Sequence, residues 1–244
     1  LPRGVESTGE ILWQEKSLLP MTPKERREMM GKDIAMVYQD PLLSLNPGMT
    51  IYQQLSQILK RSHESSGITP GDLLDMVHLT DSDAIVRAYP HQISGGQRQR
   101  VLIAMAPSQK PKLLVADEPT TALDETVQAQ IMDLLQKLQK EMGFSTLLIS
   151  HNIALVDKFC QRTFVMYAGQ AVEQGPTKSL IRSPRHPYTY GLAKSIVSLE
   201  RKERPADSID GVVPTPFKFV EGCRFSDRCP NVKEICIGKI PILN

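Results

Sequence analysis

No apolar run in this 244-residue chain approaches the roughly 18 residues needed to span a bilayer, so a membrane role has to be peripheral, through a partner. An excess of one charge is missing as well. Against 27 acidic residues stand 29 lysines and arginines, and a net charge of +2 gives no argument for binding nucleic acid or anionic lipid. Cysteine is scarce. Three of the four residues crowd into 223–236, which suits a metal or cluster site better than a scattered disulfide framework. The pattern G-x-x-x-x-G-K-[ST] is absent: Gly4, Gly9, Gly31 and Gly67 lead into no Gly-Lys-Ser/Thr, and Gly31-Lys32 is followed by Asp33. A loop of that kind wraps phosphates in backbone N–H groups and sets a hydroxyl on Mg²⁺, so these residues hold no such cradle of their own. The chain starts at Leu1 with no signal-like apolar region, in mid-flow, and targeting is not legible from it.

What is present reads as an α/β chain with a C-terminal extension, long enough for a sizeable core. Gly9–Trp13 is strand-like, and Thr22-Pro23 reads as an N-cap followed by the first helical residue. Ile34–Tyr38 is an apolar run of buried-strand length, and Pro41 stops any continuation. Residues 50–88 carry helical patterns (Ile51, Leu55, Ile58, Leu59, then Leu73, Leu74, Val77), broken by Gly67, Pro70 and Gly71. A Ser94-Gly95-Gly96 turn runs into a further helix through Val101, Leu102, Ala104 and Met105. A proline inside a helix costs ~3 kcal/mol, so at Pro107 either this helix ends early or its constraint is relaxed.

Leu113–Asp117 is a short buried-strand run ending in two adjacent carboxylates, Asp117 and Glu118. Asp124 reads as the cap of an amphipathic helix with Val127, Ile131, Leu134, Leu135, Leu138 and Met142 on one face and Gly143 as its stop. Ser145–Ser150 is another buried run with His151 at its end, and Thr163–Tyr167 and Gln170–Glu173 are strand-like, split by Ala168-Gly169. Alternating strand and helix patterns predict a mostly parallel sheet flanked by helices. From about Glu200 a polar, proline-containing linker leads to a small C-terminal element.

Two stretches carry chemistry. Glycine N–H groups at a helix start are unpaired donors in the positive end of a dipole, which favours a phosphate. A carboxylate at the tip of a buried strand is where phosphoryl-transfer proteins hold Mg²⁺. Successive strand side chains face opposite ways, so Asp117 and Glu118 are expected to do different jobs.

Ser94-Gly95-Gly96-Gln97 resembles the signature motif of ABC-transporter ATPase subunits, and Leu113–Glu118 resembles their Walker B strand. Gln39-Asp40-Pro41 is similar to their Q-loop, Pro119–Asp124 to the D-loop, and His151 to the switch histidine. Asp40–Pro47, Ser183–Thr189 and the C-x5-C-x6-C of Cys223, Cys229 and Cys236 are similar to the oligopeptide and dipeptide importer subfamily. The resemblance implies an incomplete ABC-type nucleotide-binding domain of α/β class, with the phosphate loop upstream of residues like 1–12 and further residues beyond Asn244. It divides the chain into a partial core with the Q-loop (1–49), a helical subdomain (50–93), the signature, Walker B, D-loop and switch region (94–182), and an extension (183–244).

The implied ligands are ATP and Mg²⁺, with Asp117 and Gln39 toward the ion, Glu118 as general base and His151 at the γ-phosphate. Ser94, Gly95, Gly96, Gln97 and Asp124 would serve nucleotide across a head-to-tail dimer with a second ATPase subunit. Transmembrane permease subunits, and indirectly a peptide-binding protein, complete the implied partners at the cytoplasmic face of the membrane; nucleic acid is not among them. Some members carry a [4Fe–4S] cluster on the cysteine extension. Such clusters normally take four thiolates, and with Cys160 read as a small buried hydrophobe only three are at hand, so a cluster, a partial site and bare thiols stay open. His91 and His186 read as structural. The leading reading is the ATP-hydrolysing subunit of a peptide importer. The alternatives are a remnant that only offers its signature motif to an intact partner, and a soluble ABC-type protein of translation or DNA repair.

Overall fold

The computed structural model describes residues 8–61, 67–79, 81–121, 123–201 and 209–240, with 195–201 as backbone only. The chain divides into two compact units, Leu1–Ile149 and Ser150–Asn244. Part of the expected linker (202–208), D-loop residue Ala122 and the 62–66 connection lie outside the described residues.

In the first unit β1 (Leu12–Trp13) and β2 (Lys16–Ser17) form a minimal antiparallel pair. α1 (Pro23–Met29) starts where Thr22-Pro23 predicts. The Thr22 hydroxyl accepts from the Glu25 N–H at 3.3 Å while the Glu25 carboxylate accepts from the Thr22 N–H at 2.8 Å, a reciprocal capping box. β3 (Ile34–Val37) leads to the single turn α2 (Pro41–Ser44). The strand does end before Pro41, as expected, and Pro41 then begins α2 at the helical position that needs no N–H, with Asp40 accepting from the Leu42 N–H at 2.8 Å.

α3 (Ile51–Arg61), α4 (Pro70–Met76) and α5 (Ser82–Arg87) pack on one another and bury Ile51, Leu55, Leu73, Leu74 and Ile85. The buried Gln54 ties the preceding loop to α3: its Oε1 accepts from the Asn46 N–H at 2.9 Å, and its amide donates to the Asn46 and Met49 carbonyls. α6 (Gly95–Met105) ends at Met105, and Pro107 opens a 3₁₀ turn, so the proline shortens the helix.

β4 (Leu113–Asp117), α7 (Glu125–Met142) and β5 (Ser145–Ile149) complete the unit. The α7 stripe is buried as its periodicity predicts, at Ile131, Leu134, Leu135 and Leu138, and Gly143 ends the helix at φ +76°. The sheet order is β3-β4-β5, all parallel, with Val37 opposite Ala116 and Asp117 opposite Ile149. β5, expected to be buried, leaves Leu147 49% and Ile149 46% exposed. It is an edge strand, and its alternate side chains lie on a sheet face left uncovered among the described residues.

The second unit runs α8 (Ile153–Phe159), β6 (Arg162–Tyr167), β7 (Gln170–Pro176), α9 (Thr177–Arg182), α10 (Pro187–Arg201) and α11 (Glu234–Gly238). β6 and β7 do not extend a parallel sheet; they pair antiparallel across Ala168-Gly169, at φ +48° and +80°. A two-residue connection cannot make the crossover that parallel strands need, and positive φ at both positions matches the type I′ hairpin. Tyr167, Val172, Cys223 and Phe225 form the core here, with Tyr167 and Phe225 edge to face at 5.1 Å. The nearly buried Glu173 carboxylate accepts from the Arg185 and His186 N–H groups at 2.9 and 3.0 Å, anchoring the Ser183–Thr189 segment.

Gly222 lies against the Cys236 and Ile237 backbone, where an added Cβ would overlap the Cys236 carbonyl, and its N–H donates to Ile237 O at 2.9 Å. Gly222→Ala is expected to cost about 1–3 kcal/mol of overpacking, read as a lower thermal or urea midpoint. A variant that melts with the parent would contradict this close approach.

Candidate functional site

Parallel pairing of β3 with β4 sets their C-terminal ends side by side, and the chain leaves both ends through polar residues. Gln39 stands two residues past β3, exposed; Asp117 is the last residue of β4 and Glu118 the next. Across 79 residues of sequence, the Gln39 amide Nε2 donates to Glu118 Oε2 at 2.9 Å. The Thr121 hydroxyl donates to the same oxygen at 2.8 Å.

The expectation that strand alternation separates the two carboxylates holds only up to Asp117. Glu118 has φ +44°, in the left-handed region, so its side chain has left the strand's alternation. Its N–H still donates to Ile149 O at 2.9 Å, and its carbonyl accepts from the Thr121 N–H at 3.2 Å. A carboxylate is therefore carried on a tight turn that starts from a fixed edge. A non-glycine residue held there costs of order 1–3 kcal/mol, and such positions cluster at active sites.

The glycine turn is built by a capping box. The Ser94 hydroxyl accepts from the Gln97 N–H at 3.2 Å, and Gln97 Oε1 accepts from the Ser94 N–H at 2.8 Å. The Ser94 hydroxyl proton still has a direction to donate, and the Gly95 and Gly96 N–H groups have no acceptor within the helix. A Cβ built at Gly96 would sit 3.2 Å from Val127 Cγ1, and one at Gly95 would sit 3.7 Å from Leu123 Cδ2, so the turn runs alongside the start of α7. Asp124 caps α7 as expected, accepting from the Val127 N–H at 3.0 Å. Two arginines absent from the sequence reading brace this region. Arg98 donates to the Pro90 and Ile93 carbonyls, and Arg100 donates to Val77 O at 2.8 Å and Gln130 Oε1 at 3.0 Å. Thr121 lies in the Pro119–Asp124 stretch that resembles the D-loop, but nothing in the sequence assigns it a role of its own.

His151 is exposed near the start of the second unit, beside Asn152, which caps α8 by accepting from the Leu155 N–H at 3.3 Å. His91 is exposed and stacks on Tyr89 at 5.7 Å. The His186 Nδ1 accepts from the Tyr188 N–H at 3.1 Å and its Nε2 lies 3.7 Å from Cys223 Sγ. Burial holds the His186 imidazole below its ordinary value, with Glu173 opposing.

Cys223 is buried beside Phe225, with Cys229 and Cys236 packed against the same core. Among the described residues no three His, Cys, Asp or Glu side chains are set as for a metal ion. Cys229 and Cys236 nonetheless lie near enough to Cys223 that, after burial, both help raise its thiol. Cys160 is half-buried at the C-cap of α8. Burial pushes the Cys223 thiol up, against a hydrogen bond from the Phe225 backbone that lowers it. Less thiolate at neutral pH means slow alkylation. Iodoacetamide at pH 7.5 is expected to label Cys229 and Cys236 before Cys223, read by peptide mass mapping, with Cys223 reaching the same rate only in denaturant. Equal native rates would contradict this placement.

Residues 3–121 match the family model described as ABC transporter, and residues 172–236 match that of the oligopeptide/dipeptide transporter, C-terminal region. The dipeptide transport ATP-binding protein DppD of Haemophilus influenzae is 43% identical over 237 residues, covering 96% of this chain and 72% of that protein. A putative peptide import ATP-binding protein of Brucella abortus is also 43% identical, over 97% of this chain and 72% of the relative. Among solved structures, the dimeric ATP-binding cassette MJ0796 bound to ADP and Pi aligns with a TM-score of 0.61 at 26% identity, over 70% of this chain and 74% of that one. The cbiO1 protein of Clostridium perfringens, part of the ABC transporter complex cbiONQ, gives 0.63 at 27% identity, over 80% and 77%. This chain belongs to the ATP-binding proteins of ABC transporters, in the group that carries the oligopeptide/dipeptide transporter C-terminal region.

Proposed function

We propose that this chain is the ATP-hydrolysing subunit of an ABC importer for peptides, acting at the cytoplasmic face of the membrane through permease partners. The observation that carries the reading is the Gln39–Glu118 hydrogen bond, which joins the Q-loop to the carboxylate at the strand tip. Names of relatives that import dipeptides or peptides support the substrate class. No helix among the described residues is long and apolar enough to cross a membrane, in keeping with a peripheral role.

In this reading Glu118 takes a proton from the water that attacks the γ-phosphate. Asp117 and Gln39 are the residues that would hold Mg²⁺, which when bound would supply positive charge against the phosphates. His151 contacts the γ-phosphate. Ser94, Gly95 and Gly96 donate to a nucleotide held by a second ATPase subunit in a head-to-tail dimer, while Gln97 and Asp124 first shape the helix ends that carry them. The two-subunit arrangement has a parallel in the dimeric MJ0796 cassette. We assign residues 1–49 to the partial core, 50–93 to the helical subdomain, 94–182 to the catalytic half and 183–244 to the extension. Leu43, 88% exposed, and the half-exposed Leu42 just after the Q-loop offer an apolar surface for the permease.

These 244 residues contain no phosphate loop, and on their own they are expected to show no Mg²⁺-dependent ATP turnover. In the full-length subunit, assembled in its transporter, Glu118→Gln is expected to retain ATP binding and to lower the hydrolysis rate by on the order of a hundredfold or more. Hydrolysis by Glu118→Gln at the parent rate would overturn the reading.

A further inference from the structure

We infer that Thr121 is a positioning residue for the Glu118 carboxylate. This rests on the proposed role of Glu118 and gives a specific role to one residue of the D-loop-like stretch Pro119–Asp124. The hydroxyl donates to Glu118 Oε2 at 2.8 Å in a part-buried setting, and the same residue's N–H closes the turn onto Glu118 O at 3.2 Å. Both groups of Thr121 therefore hold Glu118, one by its backbone and one by its side chain. The neighbouring Thr120 is 6% exposed and its carbonyl accepts from the Leu123 N–H at 3.3 Å, so the turn is fixed from below.

The second donor to the same oxygen differs in kind. Gln39 reaches Glu118 from another strand, on an exposed side chain in a loop beside the apolar Leu42 and Leu43. A partner docking on that loop can move Gln39. It cannot move Thr121 without unfolding the turn. Thr121 thus keeps the carboxylate aimed while Gln39 comes and goes, which lets the Q-loop change the site without losing the base. The left-handed backbone at Glu118 takes its side chain out of the strand's alternation, and the Thr121 hydroxyl is among the groups that hold it there.

The test compares Thr121→Val, Thr121→Ala and Thr121→Ser in the intact transporter carrying the full-length subunit, with Glu118→Gln alongside. A hydrogen bond to a charged group is worth enough to predict a kcat loss on the order of tenfold to a hundredfold in Thr121→Val, with the KM for ATP unchanged. Thr121→Ser should restore most of the loss, and thermal midpoints of the variants should not order with their rates. Should Thr121→Val fold poorly, the Ala–Ser pair carries the same comparison. Equal kcat for Val, Ala and Ser overturns the inference, as does a change in KM alone, which would make the hydroxyl a binding group. Parent-level hydrolysis in Glu118→Gln instead overturns the role of Glu118, and the inference with it.

Discussion

Glu118 must carry a carboxylate in a backbone conformation that glycine adopts most easily, and the surrounding structure is arranged to keep it there. Its N–H remains paired to the end of β5 while its carbonyl and carboxylate are taken up by the turn that follows. The strand before it is central in the sheet, so its tip is flanked by the ends of both neighbours. One of those ends supplies Ile149 O, the other leads to Gln39. A hairpin could not deliver this. Parallel strands start and stop at the same edge, and each needs a long crossover, which here is supplied by helices between β3 and β4 and by α7 between β4 and β5.

Local caps and long-range chemistry share residues. Ser94 and Gln97 exchange hydrogen bonds that start α6, and that cap leaves the glycine N–H groups and a hydroxyl at the exposed end. Asp124 spends its carboxylate on the start of α7, beside which the glycine turn runs. In the second unit Glu173 does the same for the Ser183–Thr189 segment, holding two N–H groups that a proline-rich stretch would otherwise leave unpaired. In this chain Ser94, Gln97 and Asp124 therefore have a structural reason to be polar independent of any nucleotide.

Features governed by local sequence were legible in advance: the Thr22 and Asp124 caps, the Gly143 stop, the stripe on α7, the strand Leu113–Asp117, and the run Ile34–Tyr38, whose strand stops one residue earlier at Val37. Pro41 ends the strand run as read, but that it also opens a helical turn, under the Asp40 cap, was not legible. β6 and β7 look like any apolar run; only the two-residue gap between them distinguishes a hairpin from a parallel pair. The half-exposed Leu147 and Ile149 lie on the face of β5 left uncovered among the described residues, which periodicity does not encode. At the site, the carboxylates were legible as chemistry. The left-handed turn at Glu118 and the two donors on one oxygen were not, since each depends on atoms brought together by folding. Likewise the cysteine spacing announces soft ligands, while the burial of Cys223 against Phe225, with Cys229 and Cys236 packed on the same core, comes only with folding.

The central claim, that the tip of β4 acts on a triphosphate, is tested most directly by a structure of the full-length subunit with Mg²⁺ and an ATP analogue that keeps its γ-phosphate. The account predicts the Glu118 carboxylate within hydrogen-bond reach of a water facing the γ-phosphorus, with Asp117 joined to the ion through water. A nucleotide bound in order while both carboxylates point away from its γ-phosphate would contradict it.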